Sequence, residues 1–190
     1  MIENWWPTKI GYYTNKAHNT MCEGLVDECY KIKETVPSGG QDWISNKTYN
    51  TSNHQYTVHD KSKFKNLNNW ILEKVNDYII QTKMVYSVRS VDSWFNIYKK
   101  GDYQEVHDHI GSIISCVYFL KSDKDSSQLV FSSNFKDYQG IVISDKNGFN
   151  NNVSYPAIQG NLIVFRSFVP HCVQQHKSDN DRITIAYNLE

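Results

Sequence analysis

The hydrophobic pattern changes period once along the chain. Met21, Leu25, Cys29 and Ile32 recur at three- and four-residue spacing behind a Thr20-Met21-Cys22-Glu23 capping box. That predicts one amphipathic helix over residues 20–35, ended by Pro37-Ser38-Gly39-Gly40. Residues 41–61 are polar and rich in Asn, Thr and Ser, and read as a surface loop or weak strands. A second helix is expected over 62–82, with Phe64, Leu67, Ile71, Val75, Tyr78 and Ile79 along one face. After Met84 the pattern becomes short alternating or apolar runs at 93–98, 113–120, 128–131, 161–165, 172–175 and 183–189, divided by turn-rich stretches such as 121–127 and 145–152. Two helices followed by six or more short strands predict a mainly β protein. Its form is an antiparallel double-stranded β-helix, a cupin-like jelly roll, buttressed on one side by the helices.

Composition narrows this picture. A chain of 190 residues suits one domain, here a helical buttress and loop over 1–84 and a jelly-roll core over 85–190. Lys plus Arg and Asp plus Glu are 20 each, so no global basic field draws the chain to phosphate, which counts against a nucleic-acid partner. The segment Met1-Ile2-Glu3-Asn4-Trp5-Trp6-Pro7 lacks a basic region followed by an apolar one. No run approaches the roughly 20 apolar residues of a membrane span. The expectation is a soluble cytoplasmic protein without a signal peptide. Cys22, Cys29, Cys116 and Cys172 form no CxxC pair, Cys22 and Cys29 fall on the first predicted helix, and reduced thiols fit better than a disulfide framework.

The chemistry concentrates in Asn96-Ile97-Tyr98-Lys99-Lys100-Gly101-Asp102-Tyr103-Gln104-Glu105-Val106-His107-Asp108-His109. In a β-prone segment, His107 and His109 project from the same face and can share a metal. His171 is a third candidate ligand, and Arg182 follows it in a late strand. Iron(II) in such sites takes about three protein ligands on one face of an octahedron and leaves the others open. Two ligand sets are compatible with the spacing. His107, His109 and His171 can form a three-histidine site; alternatively, a bulge beside His107 turns Asp108 inward to replace His109. His18, His54, His59 and His176 read as surface residues.

Asn96-x-Tyr98-x-x-Gly101-x5-His107-x-His109 resembles the motif of 2-oxoglutarate/Fe(II)-dependent oxygenases. Ser115-Cys116-Val117-Tyr118-Phe119-Leu120 is similar to a strand of the small members common in phages and marine bacteria, among them prolyl-hydroxylase-like enzymes. The segment from Pro156 to His171 is similar to their distal-histidine region, and Arg182-x-Thr184 to the pair that grips the far carboxylate of 2-oxoglutarate. The resemblance spans about residues 90–190; in the N-terminal half it rests on Gly39-Gly40-Gln41. Two departures stand out: His109 occupies the position of the usual carboxylate, and Phe119 replaces a tyrosine that contacts 2-oxoglutarate in some prolyl hydroxylases. That contact is then expected from Tyr98 or Ser115.

The resemblance implies Fe(II), 2-oxoglutarate and O2 as cofactor and co-substrates, with Asn96, Tyr98, Ser115, Arg182 and Thr184 around 2-oxoglutarate. The implied reaction is hydroxylation with release of succinate and carbon dioxide, with no catalytic group required beyond the metal ligands. A peptidyl residue is the favoured substrate over a small molecule, with contacts expected from the helix junction, the 121–127 turn and the 132–156 insertion. The rival is a cupin-like three-histidine metal protein or a dioxygenase that uses no 2-oxo acid. Gly101-x5-His107-x-His109 fits a cupin opening, but Ile113 and Ile114 stand where its glutamate belongs, and Arg182 has no role there.

Overall fold

The first predicted helix divides in two, for a local reason. The computed structural model describes residues 8–40, 43–53, 56–133 and 152–190. In it His18–Met21 (α1) makes one turn before Leu25–Thr35 (α2) begins. The Thr20 hydroxyl donates back to the Ala17 carbonyl, so the expected capping box does not form. Gly24, at φ +71°, turns the chain through the left-handed region, open to glycine at no steric cost. Cys22 therefore caps α1 and does not share a helix with Cys29. The stripe on α2 is the expected one, with Leu25, Cys29 and Ile32 buried. Lys65–Gln81 (α3) buries Leu67, Ile71, Val75, Tyr78 and Ile79, and Phe64 is buried just before it. Asn68 joins that face because it is satisfied there: Tyr187 donates to its Oδ1, and its Nδ2 donates to the His59 carbonyl.

Among the described residues, ten strands follow the order Ile10–Thr14 (β1), Tyr49–Asn50 (β2), Ser90–Tyr98 (β3), Gln104–His107 (β4), Ile114–Lys121 (β5), Leu129–Ser132 (β6), Asn152–Tyr155 (β7), Asn161–Arg166 (β8), His171–Val173 (β9) and Arg182–Leu189 (β10). They form a six-stranded sheet, β1-β8-β5-β10-β3-β2, and a four-stranded sheet, β4-β9-β6-β7, with antiparallel pairing throughout. The strands absent from the predicted runs, β1, β2, β4 and β7, are all sheet edges. Edge strands are short and partly solvated, so their alternation is weak. The part of the 41–61 loop that is described contributes β2 and a short 3-10 turn at Val58–Asp60. Gln41 and the stretch 134–151 of the 132–156 insertion, which takes in most of the predicted 145–152 turn, lie outside the described residues.

Two cores sandwich the large sheet. One face, with Phe95, Ile97, Cys116, Tyr118, Leu162, Val164, Ile183 and Ile185, packs on the helices. The opposite face, with Tyr98, Phe119, Ile163 and Phe165, meets Leu129, Phe131 and Val173 of the small sheet. The result is a jelly roll with helices on one side, and the candidate ligands lie between its sheets.

Candidate metal and co-substrate site

Pairing of β4 with β9 places His107 directly opposite His171. Their ring centroids are 4.2 Å apart, and each lies 5.1 Å from the ring of His109. One nitrogen from each of the three rings falls within 4.8 Å of the others, a group able to hold a metal ion. His107 Nδ1 meets the Glu105 carbonyl at 2.8 Å, and His171 Nδ1 meets the Val169 carbonyl at 2.9 Å. A carbonyl only accepts, so each Nδ1 carries the proton and each Nε2 keeps its lone pair.

His109 arrives by a different route from the one its spacing predicts. Strand β4 ends at His107, and the register irregularity falls between Gln104 and His107, before the first histidine rather than after it. His109 sits beyond the strand, held by its N–H donating to the Ser167 carbonyl and by a turn in which Ser112 N–H donates to the His109 carbonyl. Gly111 of that turn has φ +105°, a conformation L side chains rarely adopt. The ring packs edge-on against Trp94. Asp108 is exposed and borders the cavity outside the histidines.

Burial pushes the pKa of all three imidazoles down. His109 falls to about 3, through burial and then the neighbouring His107. His171 is driven well below the usual histidine value by burial and by His107 and His109. His107 is lowered by burial, partly offset by its bond to the Glu105 carbonyl. All three are neutral at physiological pH, the state in which imidazole binds metal.

The opposite wall is built by β3 and β10. Arg182 faces Tyr98 and Thr184 faces Asn96 as cross-strand partners, and all four line the inner cavity with the three histidines. Arg182 is fully buried, its guanidinium 4.7 Å from the Tyr98 ring centroid and 5.2 Å from that of Phe119. Nε, Nη1 and Nη2 all lack a hydrogen-bond acceptor among the described residues; the Tyr98 hydroxyl is near enough to interact electrostatically but does not satisfy them. Burial raises the Tyr98 pKa, and Arg182 offsets part of the rise. Asn96 Nδ2 donates to Thr184 Oγ1 at 3.3 Å, while Asn96 Oδ1 is buried without a donor among the described residues. Ser115 does not join this wall: its hydroxyl bonds to Ser167 Oγ and donates to Asn188 Oδ1, toward the other end of β10.

Several lining residues carried little sequence signal. Trp94 could be inferred from alternation with Asn96 and Tyr98, whereas Trp43 and Gln104 could not. Glu105 fastens the Trp43 segment to β4, accepting from Ile44 N–H (2.9 Å), Ser45 N–H (3.3 Å) and Ser45 Oγ (2.5 Å). Burial alone would raise its pKa, but those bonds outweigh it and hold the carboxyl below its usual value. The 121–127 turn, an expected source of substrate contacts, is absent from the lining: Asp123 instead accepts from Ser178 and Asn180. Of the remaining histidines, His54 lies outside the described residues, while His18 and His59 are part-buried, bonded to Tyr118 and Ser93. His176 is buried, not on the surface, because both ring nitrogens serve backbone groups of Ser127 and Asn180.

Comparison with known proteins bears on the same elements. The family model described as "Putative 2OG-Fe(II) oxygenase" matches residues 92–188, from β3 through β10. No curated protein matches the chain in sequence. Among solved structures, a Pseudomonas putida prolyl-4-hydroxylase superposes with TM-score 0.64 at 14% identity, covering 95% of this chain and 92% of its own. A Trichoplax adhaerens prolyl hydroxylase, solved with a hypoxia-inducible-factor degradation-domain peptide, gives 0.63 at 16% identity, covering 94% and 82%. HygX from Streptomyces hygroscopicus, solved with nickel, 2-oxoglutarate and hygromycin B, gives 0.63 at 9% identity, covering 96% and 82%. At these identities the likeness is one of fold. With the family match across just over half of its length, the chain belongs to the 2OG-Fe(II) oxygenases and is a non-haem iron oxidoreductase that uses 2-oxoglutarate and O2.

Proposed function

We propose that His107, His109 and His171 hold Fe(II), that Arg182 anchors 2-oxoglutarate, and that the enzyme hydroxylates a peptidyl residue with release of succinate and carbon dioxide. One observation carries the reading: a fully buried guanidinium without an acceptor among the described residues shares a cavity with three neutral imidazoles. An uncompensated buried charge is costly, and a carboxylate offering two oxygens to the guanidinium fork removes that cost. The rival three-histidine site without a 2-oxo acid leaves Arg182 with no counterion.

The chain's own groups fit a dianionic 2-oxo acid. Tyr98 retains its proton and can donate beside Arg182, Thr184 adds a hydroxyl, and the Phe119 ring excludes water beneath the guanidinium. When bound, the metal and the 2-oxo acid supply oxidation of a substrate C–H bond. A peptidyl substrate is supported by the fold shared with the prolyl hydroxylase solved with a peptide.

Anaerobic addition of Fe(II) and 2-oxoglutarate tests the assignment through the visible charge-transfer band of the chelate. The band is expected in the wild type and absent in Arg182→Ala and His109→Ala. A band that survives His109→Ala but not Asp108→Ala transfers the third ligand position to Asp108. A wild type without a band refutes the reading. Peptide-stimulated succinate formation then tests the substrate class.

A further inference from the structure

Strand pairing places two of the three histidines, His107 and His171, opposite each other. His109 has no such support. It opens a turn that runs through Gly111 and Ser112 to Ile113, just before β5. A single residue holds both ends of that turn. The His109 N–H donates to the Ser167 carbonyl at 2.9 Å, and the Ser167 N–H donates to the Ile113 carbonyl at 3.2 Å. The Ile113 N–H donates in turn to the Leu189 carbonyl at 2.8 Å, which ties the same turn to the end of β10.

Ser167 lies one residue past the last paired position of β8, and its side chain is anchored as well. Its hydroxyl is 2.9 Å from that of Ser115, which donates to Asn188 Oδ1 at 2.8 Å. Ser115 has one proton and gives it to Asn188, so Ser167 is the donor to Ser115. The bonds therefore run in one direction, from Ser167 to Ser115 to Asn188, and relayed bonds of this kind reinforce each other. Ser115 and Asn188 are cross-strand partners of β5 and β10, so the chain ends on the large sheet. Ser167 is 0% and Ser115 2% exposed. Two hydroxyls buried so deeply carry a desolvation cost that a pair of alanines would avoid. What they supply is direction, because they fix the residue whose backbone grips the His109 turn.

Building on the assignment of His109 as a metal ligand, we propose that Ser167, Ser115 and Asn188 are positioning residues, whose hydrogen-bonded chain acts through His109 to set the affinity and ligand geometry of the metal site. Ser115 then serves the metal side of the site, in place of the co-substrate contact that its sequence position implied.

Co(II) titrated into the full chain tests this, since its visible d–d bands report both affinity and ligand geometry. Ser167→Ala and Ser115→Ala are each expected to bind Co(II) about tenfold more weakly than the wild type, with altered bands. The double variant should be no weaker than either single one, because both changes break the same chain. Asn188→Ala should act in the same direction. In a His109→Ala background, already weakened, the serine changes should have no further effect, because the ligand they position is gone. Unchanged affinity and bands in the folded serine variants overturn the proposal, as does a tenfold loss that persists without His109. Amide hydrogen exchange in the wild type gives a test that needs no variant: the His109 N–H should be protected as well as the amides of β5, and exchange at the rate of an open loop overturns the proposal. Equal Co(II) affinity of the wild type and His109→Ala would instead remove His109 from the ligand set, and with it the assignment beneath the proposal.

Discussion

Along β3 and β10 the two faces of the large sheet are both buried and chemically opposite. On the helix side, Phe95, Ile97, Ile183, Ile185 and Tyr187 pack against α2 and α3. On the inner side the same two strands present Asn96, Tyr98, Arg182 and Thr184, and Arg182 and Asn96 keep hydrogen-bonding capacity unspent. One face removes apolar surface from water and stabilises the fold. The other carries an electrostatic cost that only a ligand relieves. Stability and function are thus separated by the two-residue period of a strand, since every second side chain crosses the sheet.

This contrast can be broken first on the helix side. Ile71, fully buried on α3, belongs to the helix-side apolar core. Ile71→Ala should lower the unfolding free energy by about 2–5 kcal/mol in urea titration, while the folded fraction keeps the charge-transfer band. A lost band with an unchanged urea midpoint would mean that the faces are not independent.

The inner face should respond with the opposite sign. Arg182→Met replaces a charge without an acceptor by an apolar chain, and the ligand-free protein should gain roughly 1–4 kcal/mol. The same variant should lose stabilisation by 2-oxoglutarate, which in the wild type at a hundredfold excess over Kd amounts to about 2.7 kcal/mol. Thermal melts with and without Fe(II) and 2-oxoglutarate read both effects. A variant that is less stable yet still stabilised by 2-oxoglutarate would sink the interpretation of Arg182.

A smaller, pH-dependent effect sharpens the picture. The three imidazoles have folded pKa values below the unfolded value near 6.5, with His109 at about 3. Below that unfolded value the unfolded chain binds more protons than the folded one. Stability of the metal-free protein should therefore be level above about pH 6.5 and fall as pH drops toward 3, by up to about 1.4 kcal/mol per pH unit for each histidine. His109→Ala should make the fall shallower by one proton. Urea titrations from pH 7 to 5 would show it, and parallel slopes for both proteins would contradict the burial of His109.

Much of this was legible in the chain because strand alternation is local. The period-2 patterns around Asn96-x-Tyr98 and Arg182-x-Thr184 put each pair on one face, and the register joined them as neighbours. The buried stripes of α2 and α3 followed from spacing alone. His109 shows where the same reasoning stops. Its proximity to His107 was readable, but it rests on a turn through Gly111 and a bond to the Ser167 carbonyl, not on strand geometry. A contact to a residue far along the chain leaves no periodic trace. The same holds for His176, buried by backbone partners from two separate segments, and for Trp43, brought to the site by Glu105.

By itself, then, the sequence determined the class of element at most positions, the jelly roll with its helical buttress, and the family, because propensity, period and motif order are properties of neighbouring residues. Only the tertiary structure decided that Arg182 is buried without an acceptor among the described residues, that Ser115 bonds to Ser167 and Asn188 instead, and that carboxylates line the cavity outside the histidines. Burial, desolvation and the hydrogen-bond partners of a side chain depend on which distant segments close around it.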